Sequence, residues 1–236
     1  MNFVYGYTKK ISLIANQRIN TQLNLLADSN FILEKVKALY DEPFLIQIKD
    51  TTSNYDWFND RIRAELFFGT AQYPNILPFP IELKKASILK LDIENLSGNN
   101  NDLELFFEGY RVFEDIKLSK KQYFGYPISL TIPALDIYTH TILINNDFDF
   151  LLQRLIGYKD NDYSLEIRIK FSCLSGTEIF SEFTNIDNIF GSVLRPNDLI
   201  HPIRVKRNSI ITIDIKNKTN VNQNVYLLLD GIKIME

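Results

Sequence analysis

FGTAQYPNILPFPIELKKASILKLDIENLSGNNNDLELFFEGYRVFE, residues 68–114, aligns without a gap to FGSVLRPNDLIHPIRVKRNSIITIDIKNKTNVNQNVYLLLDGIKIME, residues 190–236. About 17 of the 47 aligned positions are identical, among them Phe68 with Phe190, Gly69 with Gly191, Pro74 with Pro196, Pro80 with Pro202, Asn95 with Asn217 and Gly109 with Gly231. Self-similarity at a fixed spacing marks a repeated structural unit. Upstream, LIQIK at 45–49 resembles LEIRIK at 165–170, NFILEKV at 30–36 resembles DFLLQRL at 149–155, and ISLI from Ile11 answers ISLT from Ile128. The reading is an internal duplication with units at 1–117 and 118–236, joined through the polar stretch DIKLSKKQ at 115–122.

Inside a unit the apolar period is two. Leu89, Leu91 and Ile93 alternate with Ile88, Lys90, Asp92 and Glu94, and Ile211, Ile213 and Ile215 alternate with Thr212, Asp214 and Lys216. That alternation specifies strands with one buried and one solvated face. Eight strands are expected in the first unit, near 9–15, 18–26, 31–40, 44–50, 61–68, 79–84, 88–95 and 103–113, with turns rich in Asn, Asp, Gly and Pro between them. The fold class is all-β: two tandem β-sandwich, jelly-roll-like domains.

Composition sets further bounds. With 45% hydrophobic residues the chain of 236 can pack cores, and a formal net charge of −3 supplies no field for sequence-specific nucleic acid or an anionic membrane. A lone cysteine, Cys173, allows no internal disulfide and reads as a small apolar residue. MNFVYGYTKKISL places its lysines after the apolar residues and lacks a long apolar run, so no secretory leader is expected. No stretch approaches the roughly 18 apolar residues that span a bilayer, and no membrane partner is expected.

The repeated residues have structural readings. Gly109 and Gly231 are expected to end or kink a strand through dihedrals other residues avoid, Pro80 and Pro202 to open strands, and Asn95 and Asn217 to form turns. His140 and His201 do not occupy matching places in the two units, so they do not form a repeated site. Asp147 with Asp149, and Asp160 with Asp162, have the spacing of a calcium loop but not its flanks, and read as solvated turns. No catalytic residue, cofactor site or metal site is assigned, and no enzymatic activity is expected. The basic clusters Lys84–Lys85 and Arg204, Lys206, Arg207 read as charged edges that discourage sheet-to-sheet pairing, or as contacts for acidic partner surfaces or phosphate. The aromatic groups are the candidate interface: Phe3, Tyr5 and Tyr7 ahead of the first strand, as an arm docking on a neighbour or on its own domain, and Tyr55, Trp57 and Phe58 in the loop 51–60, whose counterpart CLSGTEIFSEF at 173–183 lacks Trp and Tyr. The same loop aromatics could instead plug one end of the sandwich.

LIQIKD at 45–50 is followed by FGTAQYP at 68–74 leading into LPFPIEL at 77–83, SILKLDIENLSG at 87–98 and EGYR at 108–111, and the last four recur as FGSVLRP, LIHPIRV, SIITIDIKN and DGIK in the second unit, which lacks the strand-ending Asp seen at Asp50. This combination resembles tailed-phage virion structural proteins built of β-sandwich units. With the abundance of Asn, Ile and Lys it is most like the tail-barrel ring proteins of crAss-like phages. The resemblance implies a non-enzymatic ring or collar subunit of the tail or portal-proximal assembly. Its partners would be copies of itself and other virion proteins, and it would be synthesised in the host cytoplasm and located in the virion. A capsid vertex or decoration protein, and a carbohydrate-binding or adhesin module, stand as alternatives.

Overall fold

The computed structural model describes residues 3–114, 120–159, 165–172 and 182–235. The chain divides into two compact units, Met1–Pro127 and Ile128–Glu236. The first half contains β1 (Phe3–Leu13), β2 (Arg18–Asn24), β3 (Asn30–Tyr40), β4 (Phe44–Asp50), β5 (Tyr55–Asp56), β6 (Ile62–Arg63), a single helical turn α1 (Ala64–Phe67), β7 (Asn75–Leu83), β8 (Ile88–Asn95) and β9 (Asn101–Val112). Then follow β10 (Lys121–Ile132), which begins in the first unit and ends in the second, β11 (Ile137–Leu143), β12 (Asp149–Lys159), β13 (Leu165–Phe171), β14 (Thr184–Asn185), β15 (Asn197–Val205), β16 (Ile210–Asn217) and β17 (Gln223–Ile234).

These strands form four antiparallel sheets, ordered β1-β9-β3-β7 and β2-β8-β4-β5, then β10-β17-β12-β15 and β11-β16-β13-β14, with β6 also paired to β4. In both halves the first and last strands are neighbours and the crossovers match. This is the interleaved two-sheet order of a jelly roll. Each sheet buries one face: Phe44, Ile46 and Ile48 of β4 and Leu165, Ile167, Ile169 and Phe171 of β13 are buried at every second position. A fully buried side chain of this kind stabilises the fold by about 1.5–3 kcal/mol.

The same side chains fasten the same turns. Asn95 is buried, its Nδ2 donates to the carbonyls of Ile14 (3.0 Å) and Asn99 (2.7 Å), and its Oδ1 accepts from the Ser97 amide. Asn217 repeats this toward Pro133, Val221 and Thr219. Asn75 Nδ2 donates to the Phe67 carbonyl at 2.6 Å, and Asn197 Nδ2 to that of Ile189 at 2.6 Å. The asparagines therefore close turns across the chain as well as within their own segment.

Four sequence expectations need correction. The segment 61–68 is not a strand: Ile62, Arg63, Ala64, Leu66 and Phe67 are all buried, and a two-residue strand followed by a helical turn buries such near-consecutive positions where a strand would expose every other one. The N-terminal aromatics do not precede the first strand: β1 begins at Phe3 rather than near residue 9 and pairs with β9 continuously from Phe3↔Arg111 to Leu13↔Asn101, so the segment docks on its own domain. Pro80 and Pro202 lie inside β7 and β15 rather than at their starts; both are edge strands, and the β3–β7 register breaks between Lys35↔Ile76 and Leu33↔Ile81, so no ladder donor is missed. Gly109 and Gly231 have ordinary backbone conformations and are required by close approach: an added Cβ at Gly109 would lie 1.8 Å from the Ile32 carbonyl oxygen.

Candidate functional site

Hydrogen bonds fix which aromatics correspond between the two halves. The Asn16 amide donates to the Ser97 carbonyl and the Leu135 amide to that of Thr219, while the Asn95 amide donates to Gln17 and the Asn217 amide to Asp136. Asn16 and Leu135 also share a left-handed φ of 55°. This register sets Tyr5 against Phe124 and Tyr7 against Tyr126, two positions away from the Ile11–Ile128 match suggested by sequence. The Tyr5–Tyr7 rings meet edge-on at 5.0 Å, and the Phe124–Tyr126 rings do the same at 5.0 Å. The first aromatic group therefore has a counterpart, which the sequence comparison missed by sliding the strand.

Tyr7 is a core residue. Its ring meets Phe31 at 5.0 Å, its hydroxyl accepts from the Leu26 amide at 3.0 Å, and burial pushes its phenol above the ordinary tyrosine range. Tyr5 is half-buried beneath Arg111, whose guanidinium stands 5.3 Å from its ring centre and donates to Ser29 Oγ at 2.8 Å. Phe3 opens β1, and its side chain lies outside the described residues.

Trp57 and Phe58 are fully buried, which overturns their assignment to an exposed interface. The loop folds back over the sheet: the Trp57 amide donates to the Ile48 carbonyl at 3.1 Å, and its own carbonyl accepts from the Gly125 amide at 3.0 Å. The Trp57 ring packs edge-on against Phe67 and Phe107, and Phe58 against Phe67 (4.9 Å) and Tyr123 (6.0 Å). Two large apolar side chains at neighbouring positions gain more from this enclosure than from solvent. Tyr55 is half-buried with its hydroxyl inside, and burial, then Asp56, raises its phenol well above the ordinary range.

The charged candidates are engaged within the fold. Asp149 is buried, its carboxylate accepting from Arg204 Nε (2.8 Å) and the Arg207 amide (2.9 Å), so it does not face solvent beside Asp147. Its counterpart Asn30 accepts from the Lys85 amide at 2.9 Å. Among the described residues no three His, Cys, Asp or Glu side chains gather as metal ligands. His140 lies half-buried in β11, where burial lowers its pKa, and His201 is exposed on β15. Cys173, Asp160 and Asp162, most of the loop 173–183 and the linker residues 115–119 lie outside the described residues.

Two of the surface hollows are mainly apolar. Beside β3 a hollow of about 510 Å³ is lined by Ala38, Leu39, Ala71 and Phe106, with Lys37, Thr70 and Gln72 as its polar side chains, and Leu39 is 66% exposed. The second unit has a smaller hollow, about 200 Å³, among Gly157, Tyr158, Phe190 and Leu227. The two correspond in the fold: the Ala38 amide donates to Gly69 at 3.0 Å in one wall, the Gly157 amide to Gly191 at 2.7 Å in the other. On β15, Ile200 projects into solvent, 91% exposed. Periodicity could not reveal these features, because they arise where strands from different parts of the chain meet.

No protein-family model matches the sequence, and no curated protein does. Among solved structures, the chain is similar to the STIV MCP, with TM-score 0.49, 10% identity, and 99% of this chain and 97% of that one covered. A223, a turret protein in Sulfolobus turreted icosahedral virus, gives TM-score 0.26 and 13% identity over 96% of this chain and 98% of that one. PBSX exported protein XepA gives 0.30 and 13% over 96% and 86%. All three scores lie below 0.5, and likeness at that level carries no inference about role.

Proposed function

We propose that this chain is a non-enzymatic structural subunit of a virion, joined in many copies head to tail into a closed ring in the tail or head–tail region. The observation that carries the reading is the pairing of unlike apolar features on one chain: a broad hollow on the first unit, walled by Leu39, Ala71 and Phe106, and a projecting Ile200 on the second. A contact that seats Ile200 of one copy in the hollow of the next joins different surfaces. Such a heterologous contact closes into a ring when its rotation permits. The tailed-phage resemblance of the repeated turn and strand motifs supports the virion setting; the jelly-roll order alone would serve many roles. The glycan-binding alternative loses its aromatic platform, since Trp57 and Phe58 are enclosed.

Native mass measurement and electron microscopy of the purified chain test this. Closed rings are expected, and Leu39→Asp or Ile200→Asp should each abolish them without lowering the melting temperature. Rings that survive both substitutions, or a chain that stays monomeric at its highest soluble concentration, would overturn the reading.

A further inference from the structure

Sheet edges expose unpaired amides and carbonyls, and natural proteins protect them with charge, proline, bulges or shortness. Here β1 carries Lys9 and Lys10, β2 carries Arg18, β7 has Pro78 and Pro80, β10 has Lys121 and Pro127, and β15 has Asp198, Pro202 and Arg204. β5 and β14 are two residues long. β11, with sequence IYTHTIL, has none of these protections: it contains no charged residue and no proline, and its register with β16 runs unbroken from Ile137↔Lys216 to Leu143↔Ile210. Among the described residues it pairs with β16 alone.

The strand is also nearly its own mirror about His140. Ile137, Thr139, Thr141 and Leu143 share the outer face, opposite Lys216, Asp214, Thr212 and Ile210. Tyr138, His140 and Ile142 share the inner face, opposite Ile215, Ile213 and Ile211, which are buried. Although it points inward, Tyr138 is 39% exposed, and on the outer face Ile137 is 49% and Leu143 63% exposed. An antiparallel partner of the same sequence centred on His140 would set Ile137 against Leu143, Thr139 against Thr141 and Tyr138 against Ile142. Every one of these is a favourable cross-strand pair, apolar with apolar or hydroxyl with hydroxyl. The equivalent strand β2, RINTQLN, presents Arg18, Asn20, Gln22 and Asn24 outward and has no such symmetry.

We propose that β11 is a self-pairing edge: two copies of this chain join through antiparallel β11–β11 pairing about a twofold axis at His140, fusing two sheets into one. The contact is isologous, distinct from the head-to-tail contact of the ring, and does not depend on that reading; where both operate, rings pair face to face.

Sedimentation and native mass of the full chain test the pairing. The expected mass is an even multiple of the chain. Thr141→Lys, on the exposed outer face, should halve it and weaken association by about tenfold or more, because two lysines then crowd the pairing. Gln22→Lys at the equivalent place on β2 should change nothing. Directly opposed residues stand about 4.5–5.5 Å apart at Cα, within disulfide range. His140→Cys in a Cys173→Ser background should therefore form an interchain disulfide on mild oxidation. A pair of chains that Thr141→Lys separates supports the proposal whether or not rings form. A mass indifferent to Thr141→Lys, or association without a disulfide at position 140, would overturn it.

Discussion

Gly109 lies so close to Ile32 that a methyl group added at its Cα would fall 1.8 Å from the Ile32 carbonyl oxygen, and Gly231 stands in the same relation to Leu151 at 2.1 Å. Both glycines face the register shifts in their neighbouring strands, at Leu33/Lys35 and Leu152/Arg154. The bulge pushes a carbonyl toward the adjacent strand, and only a residue without Cβ accommodates it.

Gly109→Ala should therefore destabilise the first unit by about 3 kcal/mol, at the upper end of overpacking effects. Gly6→Ala is the control, because its Cβ would make ordinary contact at 3.7 Å with the Phe107 carbonyl oxygen. Urea unfolding followed by circular dichroism compares them, and equal midpoints would refute the close-approach account.

Trp57→Ala should cost about 3–5 kcal/mol through loss of a fully buried aromatic. Trp57→Phe should recover much of this, since a ring would still reach Phe67 and Phe107. Thermal melts by circular dichroism decide; a change below about 1 kcal/mol for the alanine variant would return Trp57 to the surface.

At the two bulges, equivalent ion pairs sit in different surroundings. Arg154 Nε donates to Asp230 Oδ2 at 2.7 Å with both side chains buried, whereas Glu108 accepts from Lys35 (3.0 Å) and Lys37 (2.6 Å) at a partly exposed place. Hydrogen bonds from Lys37 and then Lys35 hold the Glu108 carboxyl below its ordinary pKa. Arg154→Met should cost about 3–5 kcal/mol, because it removes the guanidinium from an enclosed carboxylate, and Asp230→Leu added to it should restore most of the loss. Lys35→Met should cost less than about 1 kcal/mol. A double variant no more stable than Arg154→Met would contradict this.

Leu135 occupies a left-handed conformation, φ 55°, that its counterpart Asn16 adopts at φ 55° with a residue suited to it. Leu135→Asn should stabilise the second unit by about 1 kcal/mol, since a leucine pays roughly 1–2 kcal/mol there. Leu135 is exposed, so no core packing opposes the gain. A melting temperature that falls would show that its side chain supports the turn in another way.

Much of the fold was legible in the sequence. The two-residue period of β4, β8, β13 and β16 identified those strands, and Asn95 and Asn217 their closing turns, because alternation specifies a buried face and turn chemistry is local. Tertiary structure decided the rest. Sliding β1 against β10 by two residues preserves the alternation, so pattern could not set the Tyr5–Phe124 correspondence; the amides of Asn16 and Leu135 did. An aromatic loop reads alike whether it projects or folds back, and only the enclosure among Phe67, Phe107 and Tyr123 makes Trp57 and Phe58 core residues. Likewise IYTHTIL reads as an ordinary strand; its significance comes from lying at the end of a sheet, and strand order is set by pairing between distant segments, which local sequence does not encode.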